Sequence, residues 1–163
     1  MINNVVIPPC SVVPNSHMLL TSIPTGSKFF TVTDLYNAFF SIPVEASRYH
    51  FAFTWEEKQL TWAVMLAQGF TECPYFSQIL KADLHDIKFP RGSTLLQYMD
   101  DLLLYSPSQA SSQDSIHLQK LLALKGHKAA KEKLQLAQMM TQYLGYLTLE
   151  QGLHLDPEGF MVF

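Results

Sequence analysis

Two adjacent aspartates, Asp100 and Asp101, lie inside an apolar run, Leu95-Leu96-Gln97-Tyr98-Met99-Asp100-Asp101-Leu102-Leu103-Leu104-Tyr105. Apolar flanks on both sides predict a largely buried segment. Burial is hostile to neighbouring carboxylates, which repel each other and lose hydration. A fold that accepts them must offset that cost. A hard divalent cation with oxygen ligands is the most economical candidate. Plain hairpin-turn chemistry, in which Asp is at home, is the alternative.

The 163 residues suit one domain, and a hydrophobic content of 48% supports a real core. Charged residues make up only 15%, low enough that some apolar surface is expected to meet a partner or neighbouring segments. A net charge of −3 gives no global nucleic-acid signature, yet five of the eleven Lys and Arg fall between Lys120 and Lys133. Cys10 and Cys73 make no disulfide framework and are expected to be reduced. No stretch approaches the roughly 20 apolar residues of a bilayer span, and Met1-Ile2-Asn3-Asn4 lacks the charged head of a signal peptide. An intracellular chain that is neither secreted nor membrane-bound is the expectation. The six histidines show no metal-ligand spacing.

Along the chain, residues 1–27 read as an irregular, Pro-rich lead-in with a helical turn near 17–22. Phe29-Phe30-Thr31-Val32-Thr33 reads as a strand ending at Asp34, with a helical turn over 35–40. Strands are expected over 49–55 and 60–64 around a Glu56-Glu57-Lys58 turn. The spacing of Phe76, Ile79, Leu80, Leu84 and Ile87 predicts a helix from Pro74. A strand over 94–99 is expected to turn at Asp100-Asp101 and return over 102–105. A helix over 114–123, a short strand at 134–136 and a hairpin of 143–147 with 152–155 complete the set. The order predicts an α+β fold, an antiparallel sheet with helices on one face. If the strands bearing Asp34 and Asp100-Asp101 are neighbours, three carboxylates converge and suit two Mg²⁺ ions, typically about 3.5–4 Å apart. The chemistry is then metal-assisted phosphoryl or nucleotidyl transfer, with a metal-dependent phosphatase or nuclease as a weaker rival.

Four segments together go further. Phe29-Phe30-Thr31-Val32-Thr33-Asp34-Leu35-Tyr36-Asn37-Ala38-Phe39-Phe40-Ser41-Ile42 resembles motif A of retroviral reverse transcriptases. Leu66-Ala67-Gln68-Gly69-Phe70 with Cys73-Pro74 resembles motif B, Leu96-Gln97-Tyr98-Met99-Asp100-Asp101-Leu102-Leu103 motif C, and Tyr143-Leu144-Gly145-Tyr146-Leu147 the primer-grip motif E. The resemblance spans about residues 12–157 and is most like gammaretroviral enzymes, through Phe51-Ala52-Phe53-Thr54-Trp55 and Gln59-Leu60-Thr61-Trp62.

The resemblance implies a polymerase palm with part of the fingers over 28–157, within one domain of 1–163 that closes on a short tail, 158–163. It implies RNA-directed DNA synthesis, with two Mg²⁺ (or Mn²⁺) held by Asp34, Asp100 and Asp101. Leu35, Tyr36, Asn37, Ala38, Phe39, Gln68 and Gly69 would meet the deoxynucleoside triphosphate, with Phe39 as the sugar gate excluding a 2′-hydroxyl. Tyr98, Met99, Tyr143, Leu144 and Gly145 would contact the primer, and Lys133 would protonate the leaving pyrophosphate. A solvated basic face remains the alternative for Lys133. The implied partners are an RNA or DNA template with its primer, deoxynucleotides, and the remaining polymerase segments or another protein. The implied location is the cytoplasm or a viral particle.

Departures from the pattern are Ala67 for Pro, Cys73 for Ser, Asn37 for Asp and Tyr36 for Lys. The matched stretch omits the basic fingers that precede it and the thumb, connection and ribonuclease H regions that follow. A truncated endogenous retroelement product is therefore expected, with a non-catalytic remnant that binds nucleic acid or protein as the alternative.

Overall fold

The computed structural model describes residues 15–38, 46–64, 73–109, 113–150 and 152–155. Helix α1 (Ser16–Thr21) opens it, started by Asn15, whose side chain accepts from the backbone N–H of His17 at 2.9 Å and of Met18 at 3.3 Å. Strand β1 (Phe29–Asp34) follows, then a 3₁₀ segment (Ala46–Phe51) and the β2 (Phe53–Trp55) and β3 (Lys58–Leu60) hairpin. Helix α2 (Cys73–Leu84) leads to β4 (Thr94–Tyr98), β5 (Asp101–Ser106) and helix α3 (Gln113–Leu124). A 3₁₀ turn (Lys131–Lys133) precedes β6 (Gln135–Gln138), β7 (Met140–Tyr143), β8 (Tyr146–Leu149) and β9 (Gly152–Leu155).

The strands form three antiparallel sheets: a four-stranded sheet in the order β4-β5-β1-β6, the β2-β3 hairpin, and a β7-β8-β9 meander. Side-chain alternation divides the central sheet cleanly. Leu102 and Leu104 face α2 and α3, where they pack with Phe76, Leu80, Leu84, Leu118 and Leu122. These helical residues recur at i, i+4 and i+8, the stripe that buries one face. Phe30, Val32 and Leu103 face the other way, against Leu20 of α1 and Tyr143 of β7, with Tyr146 and Leu153 beside them. The expected α+β architecture holds, with α2 and α3 on one face and the small meander with α1 on the other.

Local chemistry explains the boundaries. Pro74 sits in the first turn of α2, where its missing N–H costs nothing. Helix α3 ends at Gly126 (φ 86°), with Gly126 N–H on the Ala123 carbonyl at 3.1 Å and His127 N–H on that of Leu122 at 2.9 Å. That is a Schellman ending, which needs the left-handed conformation at the glycine. The buried His127 then meets Asp83 of α2, Nε2 to Oδ2 at 2.9 Å. Gln119 Nε2 of α3 donates to Thr33 Oγ1 at 2.8 Å, fixing helix to strand.

Four expected boundaries are corrected. Residues 49–55 are not one strand: 46–51 are 3₁₀ and only Phe53–Trp55 pairs, with all three of its residues exposed rather than alternating between core and solvent. The partner strand is Lys58–Leu60 rather than 60–64, since a two-residue Glu56-Glu57 turn sets the register Trp55↔Lys58. Residues 143–147 are not a strand either, because Leu144-Gly145 is itself a turn between β7 and β8. The turn expected at Asp100-Asp101 is Met99-Asp100, and Asp101 is the first residue of β5, paired with Tyr98.

Candidate functional site

The middle of the central sheet creates the site. Strands β1 and β5 are neighbours, and their register sets Asp34 directly across from Asp101. Directly opposed residues of an antiparallel pair share a face, with Cβ atoms about 4.5–5.5 Å apart. Asp101 also pairs with Tyr98 on its other side, and Asp100 occupies the two-residue turn between them. The neighbouring strands expected to bring the three acids together do so. Beyond Asp34 the chain keeps pairing: Ala130 N–H donates to the Asp34 carbonyl at 2.8 Å, and Tyr36 N–H to that of Lys128 at 2.7 Å. This return carries Lys133 back to the site, where its Nζ donates to Asp34 Oδ2 at 2.5 Å.

The electrostatics are those of a site short of positive charge. Burial, then the charges of Asp100 and Asp34, push Asp101 up to about 6, against a smaller opposing pull from Lys133. Asp100 is also raised, chiefly by burial and further by Asp34, while its backbone hydrogen bond and Lys133 act the other way. The hydrogen bond to Asp34 and its charge raise Lys133. One ammonium therefore faces three carboxylates. Among the described residues no group of three His, Cys, Asp or Glu closes into a metal cage. The donor set is nonetheless all oxygen, suited to a hard cation. Mg²⁺ in particular takes only one or two protein carboxylates and completes its shell with water and phosphate. A divalent cation fits these residues as an open site.

The other expected residues divide. Leu35 and Ala38 are buried, whereas Tyr36 and Asn37 are exposed, the latter at φ 49°, a left-handed position that Asn tolerates better than most side chains. The Tyr36 N–H, beside the acids, donates to the Lys128 carbonyl. Phe39, Gln68 and Gly69 lie outside the described residues. Tyr98 and Met99 are half-buried, with Met99 at φ 55°. Tyr143 departs from a primer-facing expectation: it is 3% exposed, and its hydroxyl donates to the Asp101 carbonyl at 3.0 Å. Burial also raises its ionisation well above the usual tyrosine range. Leu144 (φ 52°) and Gly145 (φ 77°) form the adjoining turn.

Gln97 was not singled out by sequence reasoning. Its Nε2 donates to the Ser77 carbonyl of α2 at 2.9 Å and to the Met99 carbonyl at 3.0 Å. The available signal was a lone amide at a core-facing position of an apolar strand, paired with Leu102.

Comparison with known proteins agrees with this geometry. The family model described as reverse transcriptase (RNA-dependent DNA polymerase) matches residues 4–148. The Gag-Pol polyprotein of walleye dermal sarcoma virus is 43% identical over 160 residues, 96% of this chain and 9% of that protein. The Gag-Pol polyprotein of baboon endogenous virus (strain M7) is 39% identical over 155 residues, 89% of this chain and 9% of that protein. The chain thus spans about a tenth of the length of these relatives. Among solved structures, the foamy viral protease-reverse transcriptase in complex with RNA/DNA hybrid matches with a TM-score of 0.79 and 25% identity, covering 96% of this chain and 21% of that one. The same enzyme's dRH form in complex with double-stranded DNA matches with a TM-score of 0.81 and 25% identity, covering 96% of this chain and 27% of that one.

Proposed function

The chain belongs to the reverse transcriptase (RNA-dependent DNA polymerase) family, and from that premise we propose that it is the palm, with part of the fingers, of an RNA-directed DNA polymerase. One observation carries the reading: Asp34 stands opposite Asp101, with Asp100 on the adjoining turn and Lys133 on Asp34. The partners follow from the same reading, a primer annealed to an RNA or DNA template and a deoxynucleoside triphosphate. The solved relatives bound to RNA/DNA hybrid and to double-stranded DNA support it.

The reaction is nucleotidyl transfer. The primer 3′-hydroxyl gives up its proton to solvent, its oxygen bonds to the α-phosphorus, the α–β phosphoanhydride breaks, and pyrophosphate leaves. Asp34 and Asp100 would hold two Mg²⁺ ions, with Asp101 as the supporting acid. Bound there, the cations would lower the hydroxyl's proton affinity and neutralise charge on the leaving group. Lys133, whose ammonium is held on Asp34, would pass a proton to the leaving pyrophosphate. The chain around residues 36–38 borders the acids and would line the triphosphate, joined by Phe39, Gln68 and Gly69 as the family's pattern suggests. Tyr98 and Met99, at the turn end of the β4–β5 hairpin, would support the primer end.

The test is primer extension on poly(rA)/oligo(dT) with Mg²⁺ or Mn²⁺, paired with Mn²⁺ binding followed by electron paramagnetic resonance. Incorporation and Mn²⁺ binding that both vanish in Asp100→Asn are the expected result. Incorporation that survives Asp100→Asn overturns the two-metal assignment. Mn²⁺ binding without incorporation would favour the reading of a binding module that needs further polymerase segments to turn over.

A further inference from the structure

The Met99-Asp100 turn has an unusual conformation for its sequence. Met99 adopts φ 55°, a left-handed geometry that a long side chain without a local polar partner rarely takes. Such residues persist where the surroundings over-determine them. Two side chains outside the turn supply that constraint, one from each face of the sheet. On the helix face, Gln97 bridges α2 to the turn by donating to both the Ser77 and Met99 carbonyls. On the meander face, the Tyr143 hydroxyl donates to the Asp101 carbonyl. The Tyr143 ring is packed with Tyr98 and Leu103 in the second core cluster. The three carbonyls belong to α2, to the first residue of the turn and to the first residue after it.

We propose that Gln97 and Tyr143 are positioning residues that clamp the Met99-Asp100 turn from opposite faces and so set the places of Asp100 and Asp101. The proposal rests on the reading of those two acids as the catalytic carboxylates. Neither clamp residue touches substrate in this role. Tyr143, expected from its motif to meet the primer, acts instead from beneath the site. It makes the β7-β8-β9 meander a support for the acids: any movement of that meander is passed to the Asp101 backbone through one hydrogen bond.

The test uses the whole chain with Gln97→Met and Tyr143→Phe, each of which deletes the donors while keeping the side chain's bulk. Amide hydrogen exchange is read at residues 99–101 and, as a control, along the β1–β5 ladder. Mn²⁺ affinity is read by electron paramagnetic resonance and folding by thermal melting. Loss of either residue's hydrogen bonding should speed exchange at 99–101 and weaken Mn²⁺ binding by roughly 2- to 10-fold, with the β1–β5 ladder unchanged. The double variant should lose less than the product of the two single effects, since a turn already released leaves little for the second contact to hold. Wild-type exchange at 99–101 in both single variants overturns the clamp. So does loosening spread evenly over the sheet with a matching fall in melting temperature, which marks a merely structural role. Mn²⁺ binding that Asp100→Asn leaves intact would instead sink the metal reading, and the exchange data would still decide the clamp.

Discussion

The β2–β3 and β4–β5 hairpins each close with a two-residue turn, and each carries a pair of adjacent acids. In the first, Glu56-Glu57 joins Trp55 to Lys58, and every residue from Phe53 to Leu60 is exposed. In the second, Met99-Asp100 joins Tyr98 to Asp101, the flanking strands are covered on both faces, and two outside side chains hold the turn. The first pair of acids stands in water, where neighbouring charges are largely screened. The second pair is half-buried beside a third carboxylate, so burial and mutual repulsion raise Asp100 and Asp101. The acid doublet by itself is turn chemistry. The strands around it, and the register that brings Asp34 opposite, make it a half-buried cluster of three carboxylates with one ammonium beside it.

The largest effect that sharpens this contrast is catalytic. Asp100→Asn should lower primer-extension rate by roughly a thousandfold, the several kcal/mol that a metal contributes to such a reaction. Glu56→Gln with Glu57→Gln should leave the rate within about twofold. Equal losses in the two variants would erase the distinction between the hairpins. The next effect is on folding. Leu102, fully buried between β1 and the helices, should cost about 2–5 kcal/mol of unfolding free energy on substitution by Ala. Leu60, at 41% exposure in β3, should cost under about 0.5 kcal/mol. Urea titration of both variants measures the difference.

The two hairpins were not equally legible from the chain alone. The β4–β5 strands were evident because their apolar runs are long and are punctuated by Pro90-Arg91-Gly92-Ser93 before and by the acids between. The α2 and α3 stripes were readable for the same reason: Phe76, Leu80 and Leu84, like Leu118 and Leu122, repeat at the helical period and do pack on the sheet. The aromatic alternation over 49–55 misled because, among the described residues, neither core cluster takes it up, and the 3₁₀ turn took its first half. The turn was misplaced by one residue because Asp is a better turn former than Met, whereas the left-handed Met99 is flanked by the contacts of Gln97 and Tyr143. Tyr143 comes from 42 residues beyond Asp101 and Gln97 is anchored on Ser77, 20 residues before it, separations beyond the reach of any local pattern. The Lys133–Asp34 contact is likewise long-range, made by the 128–130 return beside β1.

A pH series offers a smaller effect. Asp101 is raised from 3.8 to about 6 in the folded protein, so the native state holds its proton more tightly than the unfolded chain. Its contribution to stability is complete below about pH 3.8 and is lost as pH rises through about 6. In the presence of a chelator, Asp101→Asn should therefore raise the melting temperature at pH 8 by about 2–6 °C and change it little near pH 4, after allowance for the group's partial exposure. Millimolar Mg²⁺ should shrink the gain at pH 8, because a bound cation relieves the same repulsion. A gain of equal size at both pH values would show that burial of charge is not what distinguishes this turn.

The smallest effect belongs to the exposed hairpin. Glu56 (φ 47°) and Glu57 (φ 62°) both occupy left-handed positions, the pattern of a type I′ turn, which Asn-Gly fits without strain. Replacing the pair by Asn-Gly should stabilise the hairpin by about 1 kcal/mol. Because β2 and β3 share no buried side chain with either core cluster, that gain should remain local. It should appear as roughly fivefold slower amide exchange within residues 53–60, the factor that about 1 kcal/mol corresponds to, with the melting temperature unmoved. A rise in melting temperature would mean that the hairpin is coupled to the palm after all, and that its turn constrains the central sheet as well as itself.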